Sequence, residues 1–521
     1  MKSTLLETNG WPLVRFIVPA YPEVNIFSRN RIVPLGIINV ATAASMLWGW
    51  RAEIIDENCY TGPRDKNGLP DHERLQRENP AASVGFYCGL TSTMDRVFEL
   101  SKFYKGKGCV TMAGGWHAHY CPEEALDHNM DIVVHGEGET ATRDILSAFK
   151  AGNDISGIPG ISYREGREHK RNLPDMLEAE SLDDLPYPNF GLIRYRAKIK
   201  TFPVNWTKGC AYNCEFCSVK GEPRWVSPQH AFDVINWLVE TQNAKSFFVV
   251  DDRLDGNREG ILRTLSLISK KYGDRLNFTV QIRLEAAKDT ELLVAMKEAG
   301  VRTVCIGYES PIAEDLNAMH KGLSPQKMIE WTLTMRKHFW VHGMFIFGYP
   351  SIVPSKLGVP ETIKRYKEFI RAANISSIQI LHPVPLVGTE LRTRLEKEGR
   401  IFPRDIVPWS MYDGSYACFY PTGMTVKDLQ DSPMEIMKWF YSSWSFWRIP
   451  IRTLAFPIHY VVAGWHHWYY GWFQDLVKYG GHRILCRWFK NQAKKNFTSR
   501  LEAYEKGAMP DSRQAKAKAA S

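Results

Sequence analysis

The chain has 521 residues, of which 44% are hydrophobic and 24% charged, an ordinary globular composition with enough core for two to four domains. The net charge is +9, but residues 476–521 hold eleven Lys and Arg against three Asp and Glu, so the rest of the chain is close to neutral, which argues against a nucleic-acid groove running through it. Residues 1–10 have neither the apolar segment nor the cleavage site of a signal peptide, so we expect a cytoplasmic protein whose clustered cysteines bind metal rather than form disulfides.

Short apolar runs alternate with helical stretches in the first part of the chain. This alternation predicts a doubly wound, Rossmann-like α/β domain with a parallel sheet over residues 1–154. The predicted strands are 13–18, 51–58, 82–89, 109–115 and 130–139, and the predicted helices are 34–50, 93–106 and 140–152. Residues 155–200 are mixed and rich in proline, which predicts a linker.

The alternation resumes after residue 200 with further strand-like runs separated by helices. Repeated β/α units of this length predict a partial or full (β/α) barrel over residues 201–400. Its predicted strands are 201–207, 246–252, 277–283, 303–310, 342–350 and 377–385, and its helices are 228–243, 257–272, 289–299, 324–338 and 360–373. Residues 401–500 predict an α-helical, aromatic-rich C-terminal domain, and the basic tail 501–521 is expected to be disordered.

Three cysteines follow the first predicted barrel strand with the spacing C-x3-C-x2-C: Cys210, Cys214 and Cys217, with the aromatic Phe216 directly before the last. Structural zinc needs four ligands, usually in two pairs, and here no second pair follows, with His230 only an isolated candidate. A disulfide would leave one of the three cysteines unpaired. A [4Fe–4S] cluster fits if one iron has no protein ligand, and this predicts that a small molecule binds the open iron.

This motif, at the head of a (β/α) barrel, resembles that of the radical S-adenosylmethionine (SAM) superfamily. In that family the amino and carboxylate groups of SAM bind the unique iron, and an electron from the cluster cleaves SAM into methionine and a 5′-deoxyadenosyl radical. The resemblance implies a [4Fe–4S] cluster and SAM as cofactors, and an electron donor such as flavodoxin or ferredoxin. It also implies SAM contacts at successive strand ends, from Phe216, Asp251, Asp252, Arg283, Glu309, Ser310, Phe345 and Phe347.

The strand-end residues differ in what the resemblance implies for them. Asp251 and Asp252 would lie near the SAM amino group, although taken alone they would fit a helix N-cap equally well. Arg283 would pair with the SAM carboxylate through two hydrogen bonds. Each short motif alone is weak, and it is their order, one per strand, that makes the interpretation strong.

The N-terminal domain lacks the G-x-G-x-x-G fingerprint of a dinucleotide site after its first strand. A response-regulator-like or purely structural domain is the alternative. The segments GGWHAHYCPEEAL (114–126) and DIVVHGEGE (131–139), with PLG at 34–36, resemble the cobalamin (B12)-binding domain that precedes many radical SAM barrels. The resemblance implies cobalamin as a cofactor, bound by Thr91, Ser92, Thr93, Gly114, Gly115, His117, Gly136, Gly138 and Glu139.

One departure concerns cobalt. The D-x-H-x-x-G motif, whose histidine binds cobalt in many B12 enzymes, is absent: His117, His119 and His135 stand in other frames, so the sequence assigns no cobalt ligand. Together the two domains predict a cobalamin-dependent radical SAM enzyme, with C-methylation of an unactivated carbon as the leading function. Radical cyclisation, ring rearrangement or carbon–carbon coupling stays open, as does a cobalamin carrier or sensor, for which the cysteine triad would be unnecessary.

The C-terminal region bears on the substrate. Residues 453–474 run for 22 residues without a charged side chain, but proline, glycine, histidine and scattered aromatic residues argue against a membrane span. With the basic segment 478–495, the pattern predicts either a helix lying on an anionic membrane surface or a helical cap over the barrel mouth with tryptophans as core. We therefore expect peripheral membrane association and a small hydrophobic substrate such as a lipid, polyprenoid, hopanoid-like polycycle or tetrapyrrole, and no nucleic acid.

Overall fold

The computed structural model describes residues 10–23, 32–173, 181–251, 254–351, 356–442, 444–495 and 497–505. Two sheets with helices packed on them confirm the predicted fold class. The chain forms a Rossmann-like N-terminal domain, a partial barrel of parallel strands and a helical C-terminal region.

The N-terminal sheet has seven strands in the order β2-β1-β3-β4-β5-β6-β7. Its first five strands are parallel: β1 (Leu13–Val18), β2 (Arg51–Asp56), β3 (Ser83–Tyr87), β4 (Val110–Gly114) and β5 (Ile132–Val134). Every residue of β1 is buried, as expected for a central strand covered by helices on both faces. The helices are α1 (Leu35–Ser45), α2 (His72–Glu78), α3 (Met94–Gly106), α4 (Trp116–Tyr120), α5 (Pro122–Asp127) and α6 (Gly138–Ala151).

Part of the predicted linker belongs to this sheet. β6 (Ile161–Glu165) and β7 (Glu168–Arg171) form an antiparallel hairpin that continues the sheet beyond β5. Gly166, at φ +62°, lies in its turn. The hairpin escaped prediction because β7 is polar and largely exposed, so no apolar alternation marks it. The N-terminal sheet therefore continues to residue 171.

The second sheet has six parallel strands in the order β15-β14-β13-β12-β11-β8, which makes an open partial barrel. The strands are β8 (Thr201–Val204), β11 (Ser246–Val249), β12 (Asn277–Gln281), β13 (Val301–Glu309), β14 (Trp340–Ile346) and β15 (Ser377–Leu381). Between β8 and β11 a short antiparallel ribbon, β9 (Thr207–Lys208) and β10 (Arg224–Trp225), brackets the three predicted cluster cysteines. The helices are α7 (Pro228–Gln242), α8 (Arg258–Tyr272), α9 (Thr290–Glu298), α10 (Ala313–Ala318), α11 (Pro325–Met335), α12 (Val359–Ala372) and α13 (Glu390–Lys397).

Local sequence signals determine where the barrel helices start. Ser227 caps α7 and Ser324 caps α11, each accepting a backbone N–H of the first turn, and each is followed by a proline at the first helical position. At the other end of α7, Asn243 adopts the left-handed conformation that commonly ends a helix. Each helix returns the chain to the start of the next strand, and because all six strands are parallel they end on the same side.

The C-terminal region is helical, as predicted. α14 (Val426–Phe440) packs on the barrel, where the Tyr441 hydroxyl accepts the backbone N–H of Ile378 at 2.9 Å and donates to its carbonyl at 2.6 Å. α15 (Trp444–Leu454) and α16 (Phe456–Lys495) form an antiparallel pair joined by an Arg452–Asp475 ion pair of 2.6 Å. α17 (Phe497–Glu505) enters the predicted tail, and residues 506–521 lie outside the described residues. None of the described helices combines the length and the apolar character that crossing a membrane requires.

Candidate active site

The cysteine loop, residues 209–223, lies between the two strands of the β9–β10 ribbon. Its start is held by buried Asp251 at the end of β11, whose carboxylate accepts the backbone N–H groups of Trp206 at 2.6 Å and Thr207 at 3.0 Å. The carboxylate predicted to lie near SAM therefore anchors the loop to the barrel. Asp252 falls outside the described residues.

The three cysteines are half-buried on this one loop. Burial raises the pKa of the Cys214 and Cys217 thiols, and the positive charges of Lys321 and Arg283 oppose that rise at Cys214. Closely spaced thiols with cations beside them are a donor set that fits an iron–sulfur cluster with one open iron.

Glu215, between the second and third cysteines, holds the loop on the barrel. Arg394 of α13 donates to its carboxylate at 2.6 and 3.1 Å, and the Tyr349 hydroxyl donates a further hydrogen bond. The backbone carbonyl of Glu215 accepts the N–H of Leu391 at 3.1 Å, and Phe216 packs edge to face on Tyr349 at 6.2 Å. The side chains of Glu215 and Arg394 are only 13% and 17% exposed, so this charge-assisted pair is shielded from water. Sequence reasoning missed Glu215, although its position inside the motif was a signal.

The end of β13 is irregular in a way that directs one carboxylate. The register with β14 shifts between Gly307 and Glu309, and Glu309 has φ +61°, a region that residues other than glycine rarely adopt. Its carboxylate forms an ion pair with Lys321 at 2.9 Å. Burial lowers the pKa of Lys321, but the pair with Glu309 outweighs burial, so the pKa is raised and the ammonium stays charged beside Cys214. Lys321, in a loop without a motif, was not predicted.

Arg283 lies against the cysteine loop. Its guanidinium carbon lies 3.8 Å from the centre of the Tyr212 ring, and the group pairs with Glu285 at 2.6 Å. With Lys321 it places a second positive charge near Cys214. Two cations at this point could hold the carboxylate of SAM beside the open iron.

Three other residues predicted to contact SAM have their side chains in the core. Ser310 is fully buried and donates to Asp315 at 2.8 Å. Phe345 and Phe347 pack on the ring of Tyr366 at 6.0 and 5.3 Å. These side chains support the strand ends from behind, and their contact with SAM stays a prediction.

A cavity of about 540 Å³ opens at the carboxyl ends of the parallel strands of the N-terminal sheet. Its mostly apolar lining comes from these strand ends, from α1 and α6, and from residues beside the cysteines, including Lys208, Gly209 and Val219. Such a lining fits a bulky, largely apolar ring system with polar groups at its edge. Of the predicted cobalamin-binding residues, five contribute to it: Gly114, Gly115, Gly136, Gly138 and Glu139.

Two adjacent glycines have different reasons for lacking a side chain. Gly115 has φ +119°, and a Cβ there would lie 2.6 Å from the backbone nitrogen of Gly89, so the close approach of two loops demands glycine. A Cβ on Gly114 would meet only Val134, in ordinary contact at 3.9 Å. The space beside Gly114 therefore belongs to the cavity, whereas Gly115 shapes the loop.

The remaining predicted cobalamin residues do not line this cavity, namely Thr91, Ser92, Thr93 and His117. They are buried, and the Thr91 hydroxyl is bonded to His117 Nδ1 at 3.2 Å. His117 Nε2 is bonded to Glu124 at 3.2 Å, and Glu124 accepts the indole N–H of Trp409 at 2.9 Å. This network joins the N-terminal domain to the C-terminal region. The C-terminal region packs on the side of the N-terminal domain where the turn after β3 lies.

Glu137, in the predicted GEGE segment, was not assigned a role from sequence. Its Oε1 atom accepts from Lys208 at 3.0 Å and from Arg224 at 2.5 Å, one on each strand of the ribbon that brackets the cysteine loop. All three residues line the cavity. The N-terminal domain thus holds the cysteine loop by a charged contact at the cavity wall.

Comparisons with known proteins agree with this arrangement. The B12 binding domain family model matches residues 25–146, and the Radical SAM superfamily model matches residues 204–357. An uncharacterized methyltransferase of Pyrococcus horikoshii is 30% identical over 372 residues, covering 69% of this chain and 77% of the relative. The hopanoid C-2 methylase of Rhodopseudomonas palustris is 29% identical over 381 residues, covering 71% and 66%. In fold, the chain is similar to TsrM of Kitasatospora setae, a radical SAM methyltransferase solved with cobalamin and a [4Fe–4S] cluster, with TM-score 0.64, 16% identity and coverage of 82% of this chain and 91% of TsrM.

The two matched segments are the domain that carries the cavity and the barrel that carries the cysteine loop. The cofactors of these two domains are cobalamin, a [4Fe–4S] cluster and SAM, as the sequence predicted. The chain therefore belongs to the radical SAM superfamily, as an enzyme with an N-terminal B12-binding domain.

Proposed function

We propose that this enzyme transfers a methyl group to an unactivated carbon of a hydrophobic small molecule. The observation that carries the proposal is a shared wall: Lys208, Gly209 and Val219, beside the cysteines, line the same cavity as Gly114 and Gly136 of the N-terminal sheet. When bound, the cluster and SAM supply a radical that removes a hydrogen atom, and cobalamin supplies the methyl group. A substrate between the two would meet both from neighbouring positions, which is what a stepwise radical transfer needs.

The chain's own residues position these parts. Glu215 and Arg394 hold the cysteine loop against the barrel, so that the three thiols keep one arrangement. Lys321 and Arg283 offer positive charge for a carboxylate beside Cys214. The apolar cavity wall excludes water, which protects a radical from side reactions.

Relatives support both halves of the proposal. The two relatives described above are a methyltransferase and a methylase, and the name of the latter gives a hopanoid, a hydrophobic polycycle, as what it acts on. We therefore choose a lipid extract as the substrate source. A flavodoxin or ferredoxin as the electron donor remains part of the proposal.

The test uses full-length protein reconstituted anaerobically with iron, sulfide and hydroxocobalamin, then incubated with a reductant, trideuteriomethyl-SAM and a cell lipid extract. We expect 5′-deoxyadenosine and a lipid that has gained one trideuteriomethyl group, both measured by mass spectrometry. Cys217→Ala should lose both products because it removes a cluster ligand, whereas Cys486→Ala, at an exposed cysteine elsewhere, should keep them. Deoxyadenosine with a changed but unlabelled lipid would refute methyl transfer and favour cyclisation or rearrangement.

We also propose that the α15–α16 pair binds an anionic membrane surface. Five large apolar side chains of α15 face solvent, with Trp444 71%, Phe446 45%, Trp447 61%, Ile451 63% and Leu454 82% exposed. This exposure argues against the alternative in which the tryptophans of α15 form core. The excess of Lys and Arg over residues 476–521 supplies charge that attracts anionic lipid.

Flotation with anionic liposomes tests this second proposal. Full-length protein should float at low salt and be released partly at high salt, because lipid charge is screened. The double variant Trp444→Ser with Trp447→Ser should float much less, whereas Trp48→Ser, which removes a 73% exposed tryptophan from the N-terminal domain, should float like the wild type. Full-length protein that stays with the soluble fraction at low salt would contradict the proposal.

A further inference from the structure

We infer that the substrate is an uncharged lipid and that one of its oxygen atoms binds to the amide of Gln379. The inference rests on the proposed function and deepens it, because it names the class of substrate. It comes from the face of the barrel sheet that points away from the barrel helices, which we call the inner face.

The inner face is more open than the face on which the helices pack. The half-buried residues that alternate with buried ones along β14 are Trp340, His342, Met344 and Ile346. The buried set faces the helices, since Phe345 packs on Phe369 of α12 with ring centres 6.0 Å apart. Parallel sheets are normally covered on both faces. Exposure in the middle of β14 therefore indicates space on the inner face for a bound molecule.

The strand register arranges the inner-face side chains in layers. From the strand starts to the strand ends, these layers are Phe248, Thr279, Thr303 and Trp340; then Gln281, Cys305, His342 and Ser377; and then Gly307, Met344 and Gln379. Burial lowers the pKa of His342 to about 4, so its ring is neutral at physiological pH and the three layers carry no charge. An uncharged lining of apolar and amide groups disfavours a phosphate or a carboxylate and suits a hydrophobic molecule with a neutral polar group.

Gln379 is the side chain of these layers that is best placed to hold an oxygen atom. It is half-buried in the layer nearest the strand ends, where Gly307 contributes no side chain. Its amide is hydrogen-bonded to the ring of His342, and Nδ1 of His342 is bonded to the Ser377 hydroxyl at 2.9 Å. These contacts hold the amide in one orientation. An amide has two N–H donors and an oxygen acceptor, so the bond to His342 leaves it able to donate to a hydroxyl or carbonyl oxygen.

The position of Gln379 leaves room for SAM and directs the rest of the substrate. Arg283, which could hold the SAM carboxylate, follows β12, whereas Gln379 lies on β15, three strands or about 14 Å further along the sheet. At the strand starts Trp340 packs on Phe473 of α16, with ring centres 5.3 Å apart. A molecule bound through one oxygen at Gln379 would therefore extend toward the strand ends, where the cysteine loop lies.

Fractionated lipids test the inference without any mutation. Full-length protein, reconstituted with cluster and cobalamin, receives reductant, trideuteriomethyl-SAM and a cell lipid extract that anion exchange has separated into uncharged and anionic lipids. We expect the uncharged fraction alone to raise the rate of 5′-deoxyadenosine formation several-fold above the rate without lipid, and to give a product whose exact mass includes oxygen. Stimulation by the anionic fraction alone, by neither fraction, or with a product free of oxygen would overturn the inference.

The same experiment separates this inference from the proposed function. An oxygen-containing product that arises from the uncharged fraction without the trideuteriomethyl group would refute methyl transfer and support the assignment of the substrate class. A labelled product that arises only from the anionic fraction would support methyl transfer and overturn the assignment.

A variant tests the contact itself. Gln379→Leu keeps a side chain of similar size without the amide, and should need about tenfold more of the uncharged fraction for half-maximal stimulation. Gln379→Asn, which retains an amide on a shorter side chain, should fall between this variant and the wild type. Gln326→Leu, at an exposed glutamine in the first turn of α11, is the matched control and should behave as the wild type.

Two further measurements on Gln379→Leu identify the group that the amide binds. The corrin band after gel filtration shows that the variant is folded and loaded, and equilibrium dialysis gives its affinity for SAM. An unchanged half-saturating amount of lipid would refute the contact. A loss of SAM affinity as large as the loss for lipid would assign Gln379 to SAM and overturn the inference.

Discussion

Gly307 leaves room for the carboxylate that follows it at the end of β13. An added Cβ would lie 2.5 Å from Glu309 Oε1, the far end of a flexible side chain, so the side chain and not the fold should yield. We expect Gly307→Ala to turn Glu309 away from Lys321 and to weaken SAM binding roughly tenfold, about 1.4 kcal/mol, with unchanged iron content. Equilibrium dialysis of cluster-loaded protein measures this. Gly157→Ala, with nothing within 4 Å of its Cβ, is the matched control. If Gly307→Ala binds SAM with wild-type affinity, the Glu309–Lys321 pair does not contribute to SAM binding.

Asp315 makes stability depend on pH. It accepts hydrogen bonds from Ser310 and Ser351, and burial raises its pKa from 3.8 to about 6. Between these values the folded state binds more protons than the unfolded state, so the free energy of unfolding falls as pH rises from about 4 to about 6. The shift of about two pKa units corresponds to about 3 kcal/mol.

The variant Asp315→Asn cannot ionise and should escape this loss. Its thermal unfolding temperature relative to wild type should therefore rise between about pH 4 and about pH 7, and then level off. Thermal unfolding of both proteins at each pH measures the difference. A difference that stays constant over this range would show that Asp315 has an ordinary pKa.

At the scale of elements, the cavity of the N-terminal domain is the space that α1, α6 and the sheet edge leave open between them. Gly114→Leu should fill it with little cost to the fold, because the Cβ meets only an ordinary contact. We expect at least a tenfold loss of retained cobalamin, read from corrin absorbance after gel filtration. Gly157→Leu, on an open loop, should retain it. Gly115→Leu would be a poor probe, since its Cβ would collide with the backbone at Gly89. If Gly114→Leu retains as much cobalamin as the wild type, the corrin does not bind in this cavity.

At the scale of the whole molecule, Glu137 joins the two cofactor domains. Its side chain is 14% exposed, and Glu137→Gln removes the charge shared by Lys208 and Arg224. The contact should weaken by about 1–3 kcal/mol, because two cations at the cavity wall lose their partner. We expect faster hydrogen exchange over residues 207–225 and several-fold faster release of cobalamin. Glu168→Gln, in an exposed pair with Lys170, is the control. Unchanged exchange in Glu137→Gln would mean that other contacts hold the ribbon.

Patterns that lie close together in the chain could be recognised from sequence alone. The cysteine spacing, the alternation of β and α units and the glycines after β4 and β5 are of this kind, and the structure has them as predicted. The reason is physical: strand and helix periodicities follow from local backbone geometry, and ligands for one cluster can come from one loop. The polar hairpin β6–β7 was missed because it buries too little apolar surface to show a period.

Only the tertiary structure decided which distant residues meet. Arg394 reaches Glu215 across 179 positions, and His135 and Ser162, behind His119, are separated by 27. Such pairs cannot be recognised from a local sequence pattern. A charged side chain or an imidazole is the same residue in the sequence whether or not a distant partner contacts it in the fold. The same limit explains why His117, assigned to cobalamin from the sequence, is a buried contact, while His119 of the same segment lines the cavity. The sequence by itself determined the two domains and their cofactors, and packing between the domains decided which side chains line the cavity and which surround the cysteine loop.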